Sequence, residues 1–431
     1  MLSFTLVILK DPTLLDSIAD YTAQKITWPA QNNKIKKYNP EYFSTKIHTS
    51  KKIETDVKVY PAKECYWNEL QLVLHTQIES THALVVKQGT ICNLDFFPDF
   101  ILNKIGLEDV LDYSLIGHIL DKKERYYNLH NQMFLINVEH WKKVGSPTFD
   151  KAKNVELQDV NRSQENFHDD YTPTAIVKGE SKKMYTSNTA EGSQVISALL
   201  ENNYYIRPFN EEERFEKICC YDHQDTTPEY NDQLTTIFKW LKSPNENEHN
   251  VAYVNATSLR PKSFKDNHNL IISVASPTNL LARLEKYKDI NKVIFYDISL
   301  PALIWTELFF KNIKKYDYDV SKLFELYSHC GGEKFILTSQ LEFESYRYSV
   351  KEYADIIDHL TECNIEYRFG DITRASIYSE KNLGNKNISV GVNFTNVWEY
   401  QRNVLRKDDI EWFEDEYVPM IKKERNFEYL L

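Results

Sequence analysis

Residues with the types and spacing for chemistry gather in two stretches of this sequence. In the first, Gly117-His-Ile-Leu-Asp-Lys-Lys-Glu-Arg-Tyr-Tyr-Asn-Leu-His130 sets His118, Asp121, Arg125 and His130 close together. An arginine in such a loop clamps a phosphate through its fork of N–H donors, and a histidine serves as base or metal ligand. Upstream, His82-Ala-Leu-Val-Val-Lys-Gln-Gly-Thr90 closes an apolar run with Lys87 and Thr90, and the next carboxylate is Asp95. The alternative is a surface helix with ordinary ion pairs and one satisfied histidine. In the second stretch, Ile271-Ile-Ser-Val-Ala-Ser-Pro277 precedes a helical segment and Val293-Ile-Phe-Tyr-Asp-Ile-Ser299. The interval from Val274 to Asp297 is close to the ~20 residues used by nucleotide-binding βαβ units. Here the alternative role of Ser276, Thr278 or Asn279 is to cap the helix.

Composition removes several other chemistries. The 431 residues include only 11 glycines, no two of them separated by a single residue. A P-loop, a G-x-G-x-x-G turn and a G-x-S-x-G elbow are therefore absent. Lys and Arg number 52 against 63 Asp and Glu, a net charge of −11 that opposes binding to nucleic acid or anionic lipid. Basic clusters such as Lys34, Lys36 and Lys37 read as solvated faces. Six cysteines without a C-x-x-C fit neither a zinc knuckle nor a disulfide framework. With no signal h-region and no run of membrane-spanning length, the expectation is a soluble, cytoplasmic protein. His223-Gln-Asp225 has H-x-D spacing but reads as a loop.

The elements that position these residues follow from periodicity. A strand is expected at Phe4–Leu9, then Asp11 as N-cap and a helix from Pro12 to about Lys25. Strand-length apolar runs recur at Ala83–Val86 and Met133–Val138, with helical patterns at Tyr66–Ile78, Asp99–Leu111 and Glu191–Asn202. Residues 151–181 read as a polar loop, and 241–250 as a boundary between domains 1–240 and 250–431. Beyond it come strands at Val251–Val254, Leu270–Val274, Lys292–Tyr296, Ile365–Phe369 and Ile388–Asn393. Helices are expected at Thr278–Tyr287, Pro301–Asn312, from a capping box Ser349-Val-Lys-Glu352 to about Cys363, and at Asp408–Lys423. This alternation predicts an α/β protein with two Rossmann-like domains and mostly parallel sheets.

Asn131-Gln-Met-Phe-Leu-Ile-Asn-Val-Glu-His-Trp-Lys142 resembles the strand-plus-helix of nucleotide-sugar glycosyltransferases of the A-type fold, in which a polar pair precedes a strand ending in Ile-Asn and a helix carrying Trp. His82–Thr90 stands where those enzymes have the strand ending in a metal-binding Asp-x-Asp. The resemblance implies a nucleotide-sugar site with His118, Asp95 and Asp121 as catalytic groups. It implies Lys87, Thr90, Arg125, His130, Asn131 and Gln132 as substrate-binding groups and Asp95 as a metal ligand. The expected metal pair is missing, because a divalent cation needs hard oxygen ligands and this strand ends in Lys87-Gln88-Gly89-Thr90. Lys87 substitutes as a fixed cation, Asp95 reaches in from the loop, or the fold persists without the chemistry.

The second stretch resembles the first two strands of class I S-adenosylmethionine-dependent methyltransferases. That resemblance implies Asp297 on the cofactor ribose and Asp371 on its adenine. Ser273, Ala275, Ser276, Ser299 and Asn393 complete the implied cofactor site. The glycine-rich first turn is replaced by Ala275-Ser276-Pro277-Thr278-Asn279, whose side chains hinder close approach to the backbone. Three functions stand open: sugar transfer from a nucleotide-sugar donor, methyl transfer through the C-terminal domain, and a non-catalytic interaction or assembly role. Their ligands are a nucleotide sugar or other small nucleotide, a divalent metal or S-adenosylmethionine, and no membrane.

Overall fold

The computed structural model describes residues 4–10, 15–22, 56–61, 66–87, 91–92, 113–117, 120–121, 126–127, 129, 133–149, 156–157, 184–185, 192–208, 218–219, 234–235, 237–239, 241, 250–252, 262–336, 349–372, 377, 383, 387–394, 418–419, 422 and 426–430. The chain forms two compact units: Met1–Leu14 with Thr22–Thr226, and Leu15–Tyr21 with Thr227–Leu431. Both are α/β and each holds one main sheet that is wholly or mostly parallel.

In unit 1 the elements are β1 (Phe4–Lys10), β2 (Asp56–Pro61), α1 (Tyr66–Thr76), β3 (His82–Lys87), β4 (Tyr113–Gly117), β5 (Met133–Asn137), α2 (Val138–Lys143), α3 (Ser193–Glu201) and β6 (Tyr205–Pro208). The sheet order is β6-β4-β5-β3-β1-β2. Every described neighbour pair is parallel except those made by β5, which runs against both β3 and β4. Consecutive residues Leu6, Val7 and Ile8 are buried, as are all five residues of β5. Such continuous apolar runs suit strands covered on both faces. On α1, Leu70, Val73 and Leu74 turn one stripe inward while Leu72 stays exposed. They join Val7, Val85, Phe134, Ile136, Trp141, Phe149 and Leu199 in one core.

Unit 2 contains β7 (Leu270–Val274), α4 (Pro277–Leu281), β8 (Lys292–Asp297), α5 (Leu300–Asn312), α6 (Val320–His329), α7 (Ala354–Glu362), β9 (Asn364–Phe369), β10 (Val390–Asn393) and β11 (Phe427–Leu430). Its sheet, β9-β8-β7-β10-β11, is parallel throughout. Buried nearly all round, α5 is a core helix without a polar face. Ser299 starts it, its hydroxyl accepting the Ala302 N–H at 3.3 Å. Residues 16–22 are helical, and the buried Glu307 carboxylate of α5 accepts the Asp16 and Ser17 N–H groups at 2.6 and 2.8 Å. That carboxylate satisfies two of the donors a helix start leaves unpaired.

Several boundaries differ from the sequence expectation. α4 stops at Leu281 rather than near Tyr287, its end tightening into i→i−3 bonds from the Arg283 N–H to Leu280 and the Leu284 N–H to Leu281. There Arg283 Nε donates to Asn279 Oδ1 at 2.9 Å and its guanidinium to the Lys262 carbonyl at 2.8 Å. The capping box opens as a single 3-10 turn, Lys351–Tyr353, before α7. Ser349, bridged to Asp319, accepts the Lys351 N–H at 3.3 Å rather than that of Glu352. The expected strand at Val251–Val254 appears, in its described part, as one bridge from Ala252 to Ile336. Within residues 151–181, Glu156–Leu157 pairs antiparallel with Met184–Tyr185. The expected helix at Asp99–Leu111, the N-cap Asp11, the pair His223 and Asp225, and most of Asp408–Lys423 lie outside the described residues. Among the described residues no helix is long and apolar enough to cross a membrane.

Candidate functional site

Each sheet has a point where the strand order reverses, and ligands of open α/β sheets bind beyond the carboxyl ends of the strands there. In unit 1 that point is β1, flanked by β2 and β3. β1 ends in Lys10 and β3 in Lys87, with Leu9 opposite Lys87 in the register. Because β5 is antiparallel, it enters the sheet at this same edge: Met133 pairs with Val86. Asp121 lies in a two-residue ladder with Tyr126. Thr90, Asp95, His118, Arg125, His130, Asn131 and Gln132 lie outside the described residues.

The Ile-Asn-Val-Glu-His-Trp patch owes its pattern to folding. Asn137 Oδ1 accepts the His140 N–H at 3.0 Å and starts α2. Trp141 is fully buried against Phe149, and its indole N–H donates to the Pro147 carbonyl at 3.0 Å. His140 stacks on Tyr204, ring centroids 4.4 Å apart, and its Nδ1 lies 2.7 Å from the buried Ser114 hydroxyl. Burial, with help from Lys143, lowers the His140 pKa against the pull of Glu139. This pair sits at the edge of the sheet away from Lys87, because α2 leaves β5 at its far end.

In unit 2 the reversal lies between β7 and β10. Their carboxyl ends carry Ser273 and Asn393, both fully buried. Asn393 Nδ2 donates to Ser273 Oγ and to Asn279 Oδ1, each at 3.1 Å, and Arg283 Nε bonds the same Asn279 oxygen. The expected cofactor residues thus come together, but they bond to one another. Ala275 and Ser276 are also buried, and the Ser276 and Thr278 hydroxyls find no partner among the described residues. Burial pushes the Asp297 carboxyl up to about 7, despite N–H groups donated by Ser299, Ala275 and Ile298, and Asp371 adds repulsion. Ser299 divides its work between this carboxylate, through its N–H at 2.8 Å, and the α5 cap.

Among the described residues, the donors present do not match the groups that the two resemblances imply, and the expected metal ligand Asp95 lies outside them. A divalent cation would need carboxylates where β3 ends in Lys87, and among the described residues no group of three or more His, Cys, Asp or Glu could hold a metal. A ribose would need free acceptors on Asp297, whose carboxyl is engaged by three backbone N–H groups of its own loops. At the β7/β10 edge Ser273, Asn393, Asn279 and Arg283 are tied into one network.

No family model and no curated protein matches the sequence. Among solved structures, a mannosyltransferase from Pyrobaculum calidifontis in complex with GDP-Man and Mn2+ shares 9% identity over 33% of this chain, with a TM-score of 0.20. The match spans 46% of that structure's own length. The glycosyltransferase GlyE of Streptococcus pneumoniae TIGR4, in its apo form, shares 10% identity over 93% of this chain and 99% of its own. A second GlyE structure shares 11% over 94% and 100%, and both have TM-scores of 0.26. Scores this low do not establish a common fold and bear on neither site.

Proposed function

We propose that unit 1 binds a nucleotide-diphosphate sugar along the carboxyl edge of β1 and β3, as the donor module of a glycosyltransferase-like protein. One observation carries this reading: the two strands at the order reversal end in Lys10 and Lys87, and antiparallel β5 begins, at Met133, beside that same edge. Fixed positive charge at that edge would stabilise the diphosphate as it leaves with the electron pair of the glycosidic bond, the work a metal ion otherwise does. Thr90, Asp95, His118 and Arg125 belong to connections adjoining these strands in sequence and are the proposed sources of donor and acceptor contacts.

The test is calorimetric titration with UDP-, GDP- and dTDP-sugars, with and without manganese, alongside an assay of donor hydrolysis. Binding of one nucleotide class, weakened about tenfold by Lys87→Gln, is the expected result. Absence of heat and hydrolysis with every donor at millimolar concentration would overturn it.

For unit 2, the Ser273–Asn393–Asn279–Arg283 network favours a carboxyl edge that is packed rather than a methyl-donor site. Titration with S-adenosylmethionine is then expected to be silent, and saturable heat would revive methyl transfer.

A further inference from the structure

The amino edge of the unit 2 sheet, opposite the strand ends discussed above, carries a separate cluster. His268 lies two residues before β7, Ser389 immediately before β10, Asn426 immediately before β11, and Glu428 is the second residue of β11. The strands are adjacent and parallel, so their starts are brought side by side. The His268 ring is buried, with Nδ1 2.9 Å from Ser389 Oγ and Nε2 3.0 Å from Glu428 Oε2. A carboxylate only accepts, so Nε2 carries the proton and Nδ1 is left to accept from the serine hydroxyl. Asn426 Nδ2 donates to the same hydroxyl oxygen at 2.9 Å.

The surroundings hold this order in place. Glu428 accepts the Lys265 and Asp266 N–H groups at 3.0 to 3.2 Å. Burial works against its charged form, yet those donors and His268 keep its pKa below the usual value. Phe264 packs edge-on against the imidazole, 5.2 Å between centroids. Strand β10 carries Gly391 where a Cβ would stand 2.8 Å from His268 Cδ2, so only glycine leaves room for the ring. Ser389 is partly exposed and Asn426 exposed, so the cluster lies at the surface of the unit.

From this geometry we propose a second active centre, a Ser–His–Glu acyl-transfer site that hydrolyses small esters. Ser389 Oγ attacks the ester carbonyl while its proton passes to His268 Nδ1, and Glu428 holds the imidazolium through Nε2–H. The tetrahedral carbon collapses, its bond to the alcohol oxygen breaks, and the alcohol leaves with the proton from Nδ1. Water then attacks the acyl-serine, giving one proton to Nδ1, and the carboxylic acid departs as Ser389 regains its own. Asn426 Nδ2 supplies a donor beside the developing oxyanion. Ser389 and His268 are the catalytic residues, and Glu428 is a positioning residue. None of them belongs to the proposed donor edge of unit 1, so the two readings stand or fall separately.

The experiment treats the full chain with a fluorophosphonate probe and locates the adduct by peptide mass spectrometry, with p-nitrophenyl acetate as the turnover probe. Labelling at Ser389 faster than in the urea-unfolded chain is expected, with a burst of p-nitrophenolate. Ser389→Ala should abolish both while retaining the far-UV spectrum and the thermal transition. Glu428→Gln should cut kcat by about 10- to 100-fold with KM little changed, a split that simple loss of packing would not produce. If Ser389 in the folded wild type is labelled no faster than in the unfolded chain, the cluster is a structural peg and the proposal fails. Equal kcat in wild type and Glu428→Gln would also defeat it.

Discussion

The two units meet the same architectural problem, a parallel sheet with a reversal in strand order, and finish their strands differently. In unit 1 the strands at the reversal end in lysines, and a strand running the other way enters beside them. In unit 2 the corresponding ends carry Ser273 and Asn393, both buried, with Asn393 donating to Ser273 and to Asn279. A shared topology therefore does not imply a shared ligand, because side chains at a crevice can satisfy one another instead of a guest. Side chains that bond one another leave fewer donors and acceptors for a guest.

Four substitutions would sharpen or break this contrast. The largest effect is expected from Glu307→Ala, which leaves the Asp16 and Ser17 N–H groups without their acceptor and Lys311 Nζ without its 2.6 Å ion pair. A loss of about 3–5 kcal/mol in denaturant titration is expected, and a loss below about 1 kcal/mol would show that unit 2 does not depend on the helix at residues 16–22. Next, Asn393→Ala should cost roughly 1–3 kcal/mol by removing the buried donor that Ser273 Oγ and Asn279 Oδ1 share. A neutral result would mean that the edge is not the closed network its distances describe.

The third prediction concerns pH. Asp297 has a folded-state pKa of about 7, above the ~3.9 of an unfolded carboxyl. Between those values the native state holds more protons than the unfolded state, so this group's contribution is full below about pH 4 and falls away as pH rises toward 7. Asp297→Asn removes the slope. Relative to wild type, the variant should gain on the order of 2 kcal/mol on going from pH 5 to pH 8, read as a smaller drop in Tm. Parallel Tm profiles would place that carboxyl in ordinary solvent. The smallest effect is expected in unit 1, where Asn137→Ala removes the α2 cap at a cost of about 1 kcal/mol in unfolding free energy. Because α2 leaves β5 at the end away from Lys87, nucleotide-sugar affinity should be unchanged.

How much was legible in the sequence varied with the range of the interactions. Strands such as Leu270–Val274 and Met133–Asn137 were readable because buried parallel strands need unbroken apolar runs. The helix at Leu300–Asn312 was readable too, through Ser299 and Pro301 at its start. Strands β2, β4, β6 and β11 are not among the expected ones, since runs such as Asp56–Pro61 and Phe427–Leu430 are short and hold few apolar residues, and become strands by pairing. Most of the expected nucleotide-sugar residues lie outside the described segments, and Lys87 was legible only as the end of a run. The Ser389–His268–Glu428 cluster had no local signature at all, its members being 121 and 160 residues apart.

Alone, the sequence determined that the chain alternates strands and helices and lacks glycine-rich phosphate loops, because both follow from residue types over a few neighbours. Only the tertiary structure decided that β5 runs backwards, that Asn393 closes upon Ser273, and that His268 stands between Ser389 and Glu428. Those outcomes depend on strand order and register, which bring together groups far apart in the chain and which local propensity does not encode.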